Sequence, residues 1–580
     1  MNYEAVIGLE IHAHLLTRTK IFCGCSTVFG APPNAQTCPV CLGLPGALPV
    51  LNRQAVDFAI KAALALGCAV QTESIFARKN YFYPDQPKGY QISQYEQPLA
   101  LGGVVDLTVG GVPCRVGITR VHMEEDAGKS LHEGFLDSAK RTYVDFNRSG
   151  VPLIEIVSEP DMRTAAQAAE YFSRLRSLLV WIGVNDGNME EGSLRCDANV
   201  SVRPVGQTSL GTKAEVKNLN SFRYLEKALE YEIERQIELV SGGGRVVQET
   251  RLWDSSTGRT QSMRSKEEAH DYRYFPEPDL PPLVVDAARV EAVRATMPEL
   301  PDARRARFVA AYGLPAYDAG VLTQSAAVAG YFEATVAASG NAKLASNWVM
   351  GDILRMVKER DCAVESLPVT PASLGGLIRL IEQGTISSAM AKEVFVTMFG
   401  SGRTADDIVA AEGLSQNSDA GALAIIVAAV LAANADAAAQ YRAGKPQTFG
   451  FLVGQVMKAS GGKANPKLAN QVLRDALALA PSDPPQGAAG RSSTSADSRS
   501  STRAGFPRSA NCRCRSSAAS SSSLPARAVP ASPRCCACSC CRTGRPTGAS
   551  SSTGTTCQRC RGHRCRSTGA ASVSCSRISG

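Results

Sequence analysis

The sequence predicts an α+β fold: an antiparallel-sheet domain, then all-helical domains, then a low-complexity extension. Three observations carry this. Strand-like alternation recurs through the first half of the chain and is interrupted only by single helices. The alternation ends at the Pro-rich stretch Phe275-Pro276-Glu277-Pro278-Asp279-Leu280-Pro281-Pro282, after which helical periodicity takes over. The last hundred residues then change alphabet altogether. A chain of 580 residues has room for roughly three or four domains, and these breaks place them at 1–290, 291–404, 405–478 and 479–580.

The elements follow in order. Residues 6–15 alternate, with Ile7, Leu9, Ile11, Ala13 and Leu15 on one face and Glu10 and His12 on the other. Alternation returns at 116–125, 141–147, 153–157, 194–203 and 213–217. Asn52 can cap a helix over 53–66 that stops at Gly67. Thr164 can cap one over 165–182 that stops at Gly183, and Ser221 one over 222–240 that stops at Gly242. Beyond residue 290, helices are expected over 303–312 and 343–358. A small helical domain is expected on 422–433 and 465–477. No internal repeat is present.

The net charge of +8 misrepresents the folded part. Residues 481–580 hold 15 Arg, 2 Asp, no Lys and no Glu, which leaves 47 basic and 52 acidic residues of the chain's 62 and 54. The same hundred residues hold 11 of the 19 cysteines, 24 serines and one aromatic, Phe506. Such a segment buries too little apolar surface to offset its chain entropy and is expected to be disordered. Three readings compete for it. One is a cysteine-rich module, suggested by Cys535, Cys536, Cys538, Cys540 and Cys541. Another is a basic RNA-binding arm carrying Arg513, Arg515, Arg561 and Arg564. The third is translation of a GC-rich gene out of frame or past its stop, which the alphabet of Arg, Ser, Ala, Gly, Pro, Cys and Thr favours. Residues 1–16 lack a basic start and carry Glu4 and Glu10, so no secretory signal is expected. The longest apolar run, 420–434, is too short to span a bilayer. A cytoplasmic location follows, and a reducing compartment favours metal over disulfides for the N-terminal cysteines.

Those cysteines stand as Cys23-x-Cys25, twelve residues, then Cys38-x-x-Cys41. Two close thiolate pairs on short loops suit one tetrahedral structural zinc. Free core thiols are the plainer reading. A second, harder ligand set gathers on the strands: Glu10 and His12; His122, Glu124 and Glu125; Asp145, Asn147 and Arg148; Glu155; Glu190 and Glu191; Arg195, Asp197 and Asn199; Lys217 and Asn218. One acidic strand face is ordinarily just solvated. Five such strands that mix acids with cations point to a polar cleft, and carboxylates there suit Mg²⁺ with nucleotide phosphates. Gly128-Lys129-Ser130 imitates the end of a phosphate-binding loop, but the glycine that motif needs is replaced by Met123 and the run Glu124-Glu125-Asp126 would repel phosphate. The loop Arg78-Lys79-Asn80-Tyr81-Phe82-Tyr83-Pro84-Asp85 reads either as a packed hairpin or as a wall for a nucleotide base or a tRNA terminus.

Several of these stretches together carry a family resemblance. They are 6–12, 80–94, His122-x-Glu124-Glu125-Asp126-Ala127-Gly128-Lys129, 145–155 and Glu190-Glu191-Gly192-Ser193-Leu194-Arg195-Cys196-Asp197. The chain resembles the B subunit of the bacterial tRNA-dependent amidotransferases from residue 3 to about 477. The resemblance implies a glutamine-synthetase-like catalytic sheet that uses ATP and Mg²⁺ to phosphorylate the side-chain carboxylate of Glu-tRNA(Gln) or Asp-tRNA(Asn). It implies a partner amidase, the A subunit, that supplies ammonia, and a small C subunit that braces the pair. It also implies a terminal helical domain that grips tRNA through Lys445, Lys458, Lys463 and Lys467. It assigns Glu10, His12, Glu124, Glu125 and Glu191 to magnesium, Glu155 and Arg148 to catalysis, and Lys79, Tyr81, Arg195, Asp197 and Lys217 to ATP or the aminoacyl end. Cys23, Cys25, Cys38 and Cys41 go to zinc. Glu125→Gln is accordingly expected to abolish amide formation. Two rival readings are a non-catalytic zinc-bearing tRNA-binding subunit and a stand-alone ligase acting on a free amino acid.

Overall fold

The protein is described by a computed structural model covering residues 2–478, apart from 133–136, 138–139, 266–271, 415–419 and 462. The extension 479–580, with its cysteine cluster and arginines, lies outside the described residues.

Strand β1 (Tyr3–His14) is the spine. Its odd positions are apolar and buried, and its even positions carry Glu10, His12 and His14. Helix α1 (Arg53–Ala65) follows, capped by Asn52, whose side chain accepts from the Gln54 and Ala55 amides. Strands β2 (Phe76–Asn80) and β3 (Tyr90–Gln94) form a small antiparallel layer. Strands β4 (Val112–Glu125) and β5 (Pro152–Ser158) then lead to α2 (Ala165–Trp181), which a capping box between Thr164 and Gln167 starts. Strands β6 (Leu194–Pro204) and β7 (Ala214–Lys217), helix α3 (Phe222–Ser241) capped by Ser221, and strands β8 (Glu249–Asp254) and β9 (Arg259–Ser265) complete the domain.

The sheet order is β9-β8-β7-β6-β1-β5-β4, extended past β4 by two short strands. Every neighbouring pair in that run is antiparallel except β7–β8. One face is apolar. Leu9, Ile11, Val121, Met123, Ile154, Ile156, Ala198 and Val200 are all buried there, and α1, α2 and α3 pack on that side. The other face carries the titratable residues. Because facing residues sit about 4.5–5.5 Å apart across an antiparallel pair, register alone brings distant segments together. His12 lies opposite both Glu155 and Arg195, Glu10 opposite Asp197, and Glu155 opposite His122.

The Pro-rich stretch is stitched back to the sheet domain. Phe275 and Pro276 pair with β2, and Leu283 and Val284 pair with Glu73 and Ser74. Helices follow, among them Pro301–Tyr312 and Ala326–Ser339. The helix expected over 343–358 is interrupted. It runs Ala342–Trp348, passes through a π turn at Val349–Ile353, and resumes as Leu354–Arg360. One buried core extends from Ala5 to Val409, and a second joins Leu423, Val427, Leu452, Val456, Leu473 and Leu477. Among the described residues no single helix is long and apolar enough to cross a membrane.

Candidate active site

The polar face of β1, β4 and β6 lines a cleft of about 700 Å³, among others with Glu10, His12, Lys79, Tyr81, Glu124, Arg148, Arg195, Asp197 and Lys217, and Glu155 of β5 is buried against His12 behind it. At its floor, His12 Nε2 lies 3.4 Å from Glu155 Oε2, 3.6 Å from Glu10 Oε1 and 3.9 Å from Glu124 Oε1. The same Glu155 oxygen is 3.4 Å from His122 Nε2, which is 3.9 Å from Glu124 Oε2. Two carboxylate–imidazole sets result, Glu10/His12/Glu155 and His122/Glu124/Glu155, each with ligand atoms within 4.8 Å of one another. Glu155 belongs to both.

The electrostatics follow from this crowding. Burial opposes a charged His12, but the hydrogen bond and charge of Glu155, together with Glu124, outweigh it and push the imidazole up to about 9. Burial likewise opposes a charged Glu155, yet His122 and His12 hold its carboxyl well below the usual range. Glu10 is pushed up by burial and by Glu155 and Asp197. His12 and Glu155 thus offset each other's charge beneath the cleft. A divalent cation would take over that charge; the carboxylates are the donors that suit Mg²⁺, whereas imidazole is more usual on transition metals.

Cations line the remaining walls. Lys79 sits 5.1 Å from the Tyr272 ring centroid. Burial alone would depress its ammonium, but Glu124, Tyr274 and Glu155 raise it well above the ordinary value. Tyr81 is pushed up to about 12 by burial, and its hydroxyl accepts from Gln86 Nε2 at 2.8 Å. Lys217 donates to Asp197 and lies 3.2 Å from Glu215 Oε1. Phe82, in the aromatic loop, is 91% exposed.

The structure does not bring every predicted residue into the cleft. Glu125 follows Glu124 on a strand, so it points to the other side. There it is buried, forms an ion pair with Lys88, and accepts from the Ile92 amide at 2.9 Å. Glu191 lies on the exposed turn before β6, where its amide donates to Asn188 Oδ1. It lines a separate cavity with Asp186 and Lys129, outside both metal-binding sets. Asp145 and Asn147 brace the loop above. Asp145 accepts from the Asn34 amide, and Asn147 donates to Pro32 O and accepts from the Gln36 amide. A larger cavity of about 790 Å³ between α2 and residues 300–324 holds the Arg174–Asp302 ion pair and no comparable donor set among the described residues. Because Glu125 leaves Lys88 unpaired when neutralised, Glu125→Gln is expected to lose about 3 kcal/mol of stability in denaturant titration, as breaking a buried pair generally does. An unchanged unfolding midpoint would contradict this placement.

Two residues not singled out from the sequence belong here: Asp126, which lines the cleft, and His14, which lines the separate cavity of Glu191 and holds Asp126. His14 extends the period of Glu10 and His12. Asp126 stands just past the end of β4, where the strand period no longer marks it. His14 Nε2 and Asp126 Oδ2 are 2.6 Å apart. Burial would raise Asp126, but Arg195, Arg148 and His14 hold it well below the carboxylate range.

The four cysteines form a separate knob in the loop between β1 and α1, and none lines the cleft. Their sulfurs cluster within 4.8 Å, and the Cys38 amide donates to Cys41 Sγ at 3.1 Å. Hydrogen bonding from Cys23 is the main cause that draws Cys41 down to about 4, while burial pushes Cys25 up to about 11. Lys20, fully buried, reaches Phe146 O at 3.2 Å and adds a favourable field at Cys41.

Comparison with known proteins agrees with this architecture. The model described as the GatB/GatE catalytic domain matches residues 5–291, and the one described as the GatB domain matches residues 330–477. The aspartyl/glutamyl-tRNA(Asn/Gln) amidotransferase B subunit of Geotalea uraniireducens is 57% identical over 473 residues, covering 82% of this chain and 99% of that protein. The protein of the same name from Moorella thermoacetica is 58% identical over 479 residues, covering 82% of this chain and all of its own length. The chain therefore belongs to the family of the aspartyl/glutamyl-tRNA(Asn/Gln) amidotransferase B subunits.

Proposed function

We infer that this chain is the ATP-using subunit of a tRNA-dependent amidotransferase. It converts Glu-tRNA(Gln) or Asp-tRNA(Asn) to the amide with ammonia freed by a partner amidase, in a complex that a small third subunit completes. The observation that carries this reading is Glu155, buried and shared by two carboxylate–imidazole sets that reach a cleft through Glu10, His12 and Glu124, a cleft otherwise walled by Lys79, Arg148, Arg195 and Lys217.

A carboxylate is a poor electrophile with no leaving group. In the first step a side-chain carboxylate oxygen attacks the γ-phosphorus of ATP, a new O–P bond forms, and the bond to the β,γ-bridging oxygen breaks to release ADP. In the second, ammonia adds to the acyl carbon and the C–O bond to phosphate breaks. Glu10, His12, Glu155, His122 and Glu124 are the residues that would hold Mg²⁺, which neutralises phosphate charge when bound. Glu125 and Glu191, drawn into that role by the resemblance, fall outside it by position. Lys79, Arg195 and Lys217 line the cleft where charge on the transferring phosphoryl group needs compensation. Tyr81 and the exposed Phe82 form the wall for the adenine or the tRNA terminus. The four cysteines are assigned to a structural zinc, since a closed thiolate set that does not line the cleft offers no open position for chemistry. Residues 405–478 are assigned to tRNA, with Lys445, Lys458, Lys463 and Lys467 as its candidate contacts.

A purely tRNA-binding role leaves the paired buried acids and imidazoles without a purpose. A stand-alone ligase leaves the helical second half without one. The test is amidation of Glu-tRNA(Gln) with ATP, Mg²⁺ and ammonium chloride by the assembled subunits. Product that disappears when ATP is omitted is expected. Tight tRNA binding with no product would favour the binding-subunit reading. Chain 1–480, assembled in the same way, is expected to match the full chain in this assay, because every residue lining the cleft or forming the knob lies before residue 280. A loss of activity on truncation would give the extension a role.

A further inference from the structure

Beside the two carboxylate–imidazole sets, two of the cleft's arginines converge on Asp126 and His14, residues to which the mechanism above gives no part. One buried carboxylate oxygen, Asp126 Oδ2, lies 2.6 Å from His14 Nε2, accepts from Arg195 Nη2 at 2.8 Å and forms an ion pair with Arg148, whose Nε is 3.5 Å away. The second Asp126 oxygen accepts from the Ala127 amide at 2.8 Å. Arg148 is held further by Ala127 O and Gly128 O, at 2.9 and 2.7 Å. Two guanidiniums thus share one carboxylate, and the trio carries a net positive charge. The buried Arg195 Nε–H has no acceptor at all. A buried donor without an acceptor costs roughly 1–3 kcal/mol, so its retention in a cleft points to an acceptor that arrives with a ligand. Register places Arg195 directly opposite His12 on β1.

We propose that Asp126 is a positioning residue that holds Arg148 and Arg195 as a receptor for a substrate oxyanion, next to the metal-binding sets. The proposal rests on the amidotransferase reading. The guanidinium fork matches both a carboxylate and a phosphoryl group, so the oxyanion is either the side-chain carboxylate of the aminoacyl-tRNA or a phosphate of ATP. Asp126 never touches substrate. It fixes the two forks so that their free edges face the cleft, and His14 tethers it from β1.

The experiment uses the assembled complex with Asp126→Asn, Arg195→Gln and the double variant. KM for ATP and for Glu-tRNA(Gln) are measured separately, along with binding of uncharged tRNA(Gln) and the thermal midpoint. Each single variant is expected to raise one of the two KM values by about tenfold, as loss of one charge-assisted contact would. Uncharged tRNA should bind as before. A rise confined to Glu-tRNA(Gln) assigns the receptor to the carboxylate, and a rise confined to ATP assigns it to phosphate. The double variant should lose less than the product of the two single losses, because Asp126 acts in part through Arg195. Independent, multiplying losses would overturn the positioning role. If Asp126→Asn does not assemble, Arg195→Gln alone decides, and unchanged KM values for both substrates would overturn the receptor. A parent complex that makes no amide would instead sink the amidotransferase reading itself, so the two failures are distinguishable.

Discussion

Glu155→Gln is expected to lower amide formation about a thousandfold in the assembled enzyme, the scale of losing one preorganised electrostatic group at a reacting centre, while binding of uncharged tRNA is unchanged. The reason is its double membership. Its Oε2 is 3.4 Å from both His12 and His122, so a single neutral amide removes the shared carboxylate from both carboxylate–imidazole sets at once. The substitution keeps the side chain's shape. Its effect on folding should be modest, because His12 can lose its proton when its counterion disappears and so avoid burying an unpaired charge. Amidation is measured with saturating ammonium chloride, so that the ammonia-supplying partner is not limiting. The thermal midpoint is followed in parallel. Activity within tenfold of the parent would mean that the sets do not hold the catalytic metals. By the same geometry Glu124→Gln should cost less, since Glu124 takes part in the set built on His122 and keeps the Ser93 hydroxyl as a donor at 3.1 Å.

Much of this site is legible in the sequence because a strand announces its own faces. Residues 6–15 alternate cleanly, and their polar positions, Glu10 and His12, are the ones that face the cleft. The three helix caps, Asn52, Thr164 and Ser221, stand where hydroxyl or amide side chains precede apolar periodicity, and each caps its helix. The departures have physical causes. Glu124 and Glu125 look equivalent in the sequence, yet a strand must send neighbours to opposite faces. Parity with His122 selects Glu124 for the cleft and leaves Glu125 with Lys88. Glu191 is close in sequence to Arg195, but a turn stabilised by Asn188 separates them in space. Asp126 escapes notice because it lies one residue beyond its strand, and its partners come from segments 22, 69 and 112 positions away. The return of Phe275 to β2 has the same origin, since pairing across so long a separation leaves no local signal. The helix expected over 343–358 hides its π turn because an inserted residue there keeps the apolar periodicity nearly intact.

Cys41→Ser is expected to abolish zinc binding and, with it, assembly of an active enzyme. The purified chain should carry one zinc per molecule by elemental analysis, and the variant none. Serine preserves volume but supplies no thiolate at neutral pH. The knob has little apolar core of its own, since Val28, Phe29, Leu44 and Leu48 around the cysteines are all exposed. Binding energy at a structural zinc site is folding energy, on the order of 10 kcal/mol in small peptides, which is comparable with the whole stability of a domain, about 5–15 kcal/mol. The loss should reach the cleft through one turn. The Ile21 amide donates to Gly150 O at 2.9 Å, the Ser149 hydroxyl donates to Cys41 O at 3.4 Å, and the Gly150 amide donates to Asp126 O at 2.9 Å. Gly150 itself has φ +83°, and a Cβ there would meet Lys20 Cδ at 3.4 Å and Cys41 Cβ at 3.5 Å, so the chain passes directly beneath the knob. Arg148 and Asp126 are carried by this turn. Chelation of the parent should therefore impair amidation before it unfolds the helical second half, which far-ultraviolet circular dichroism can follow. A chelated chain that contains no zinc and retains full activity would show that thiol packing alone holds the knob, and that the cleft does not depend on it.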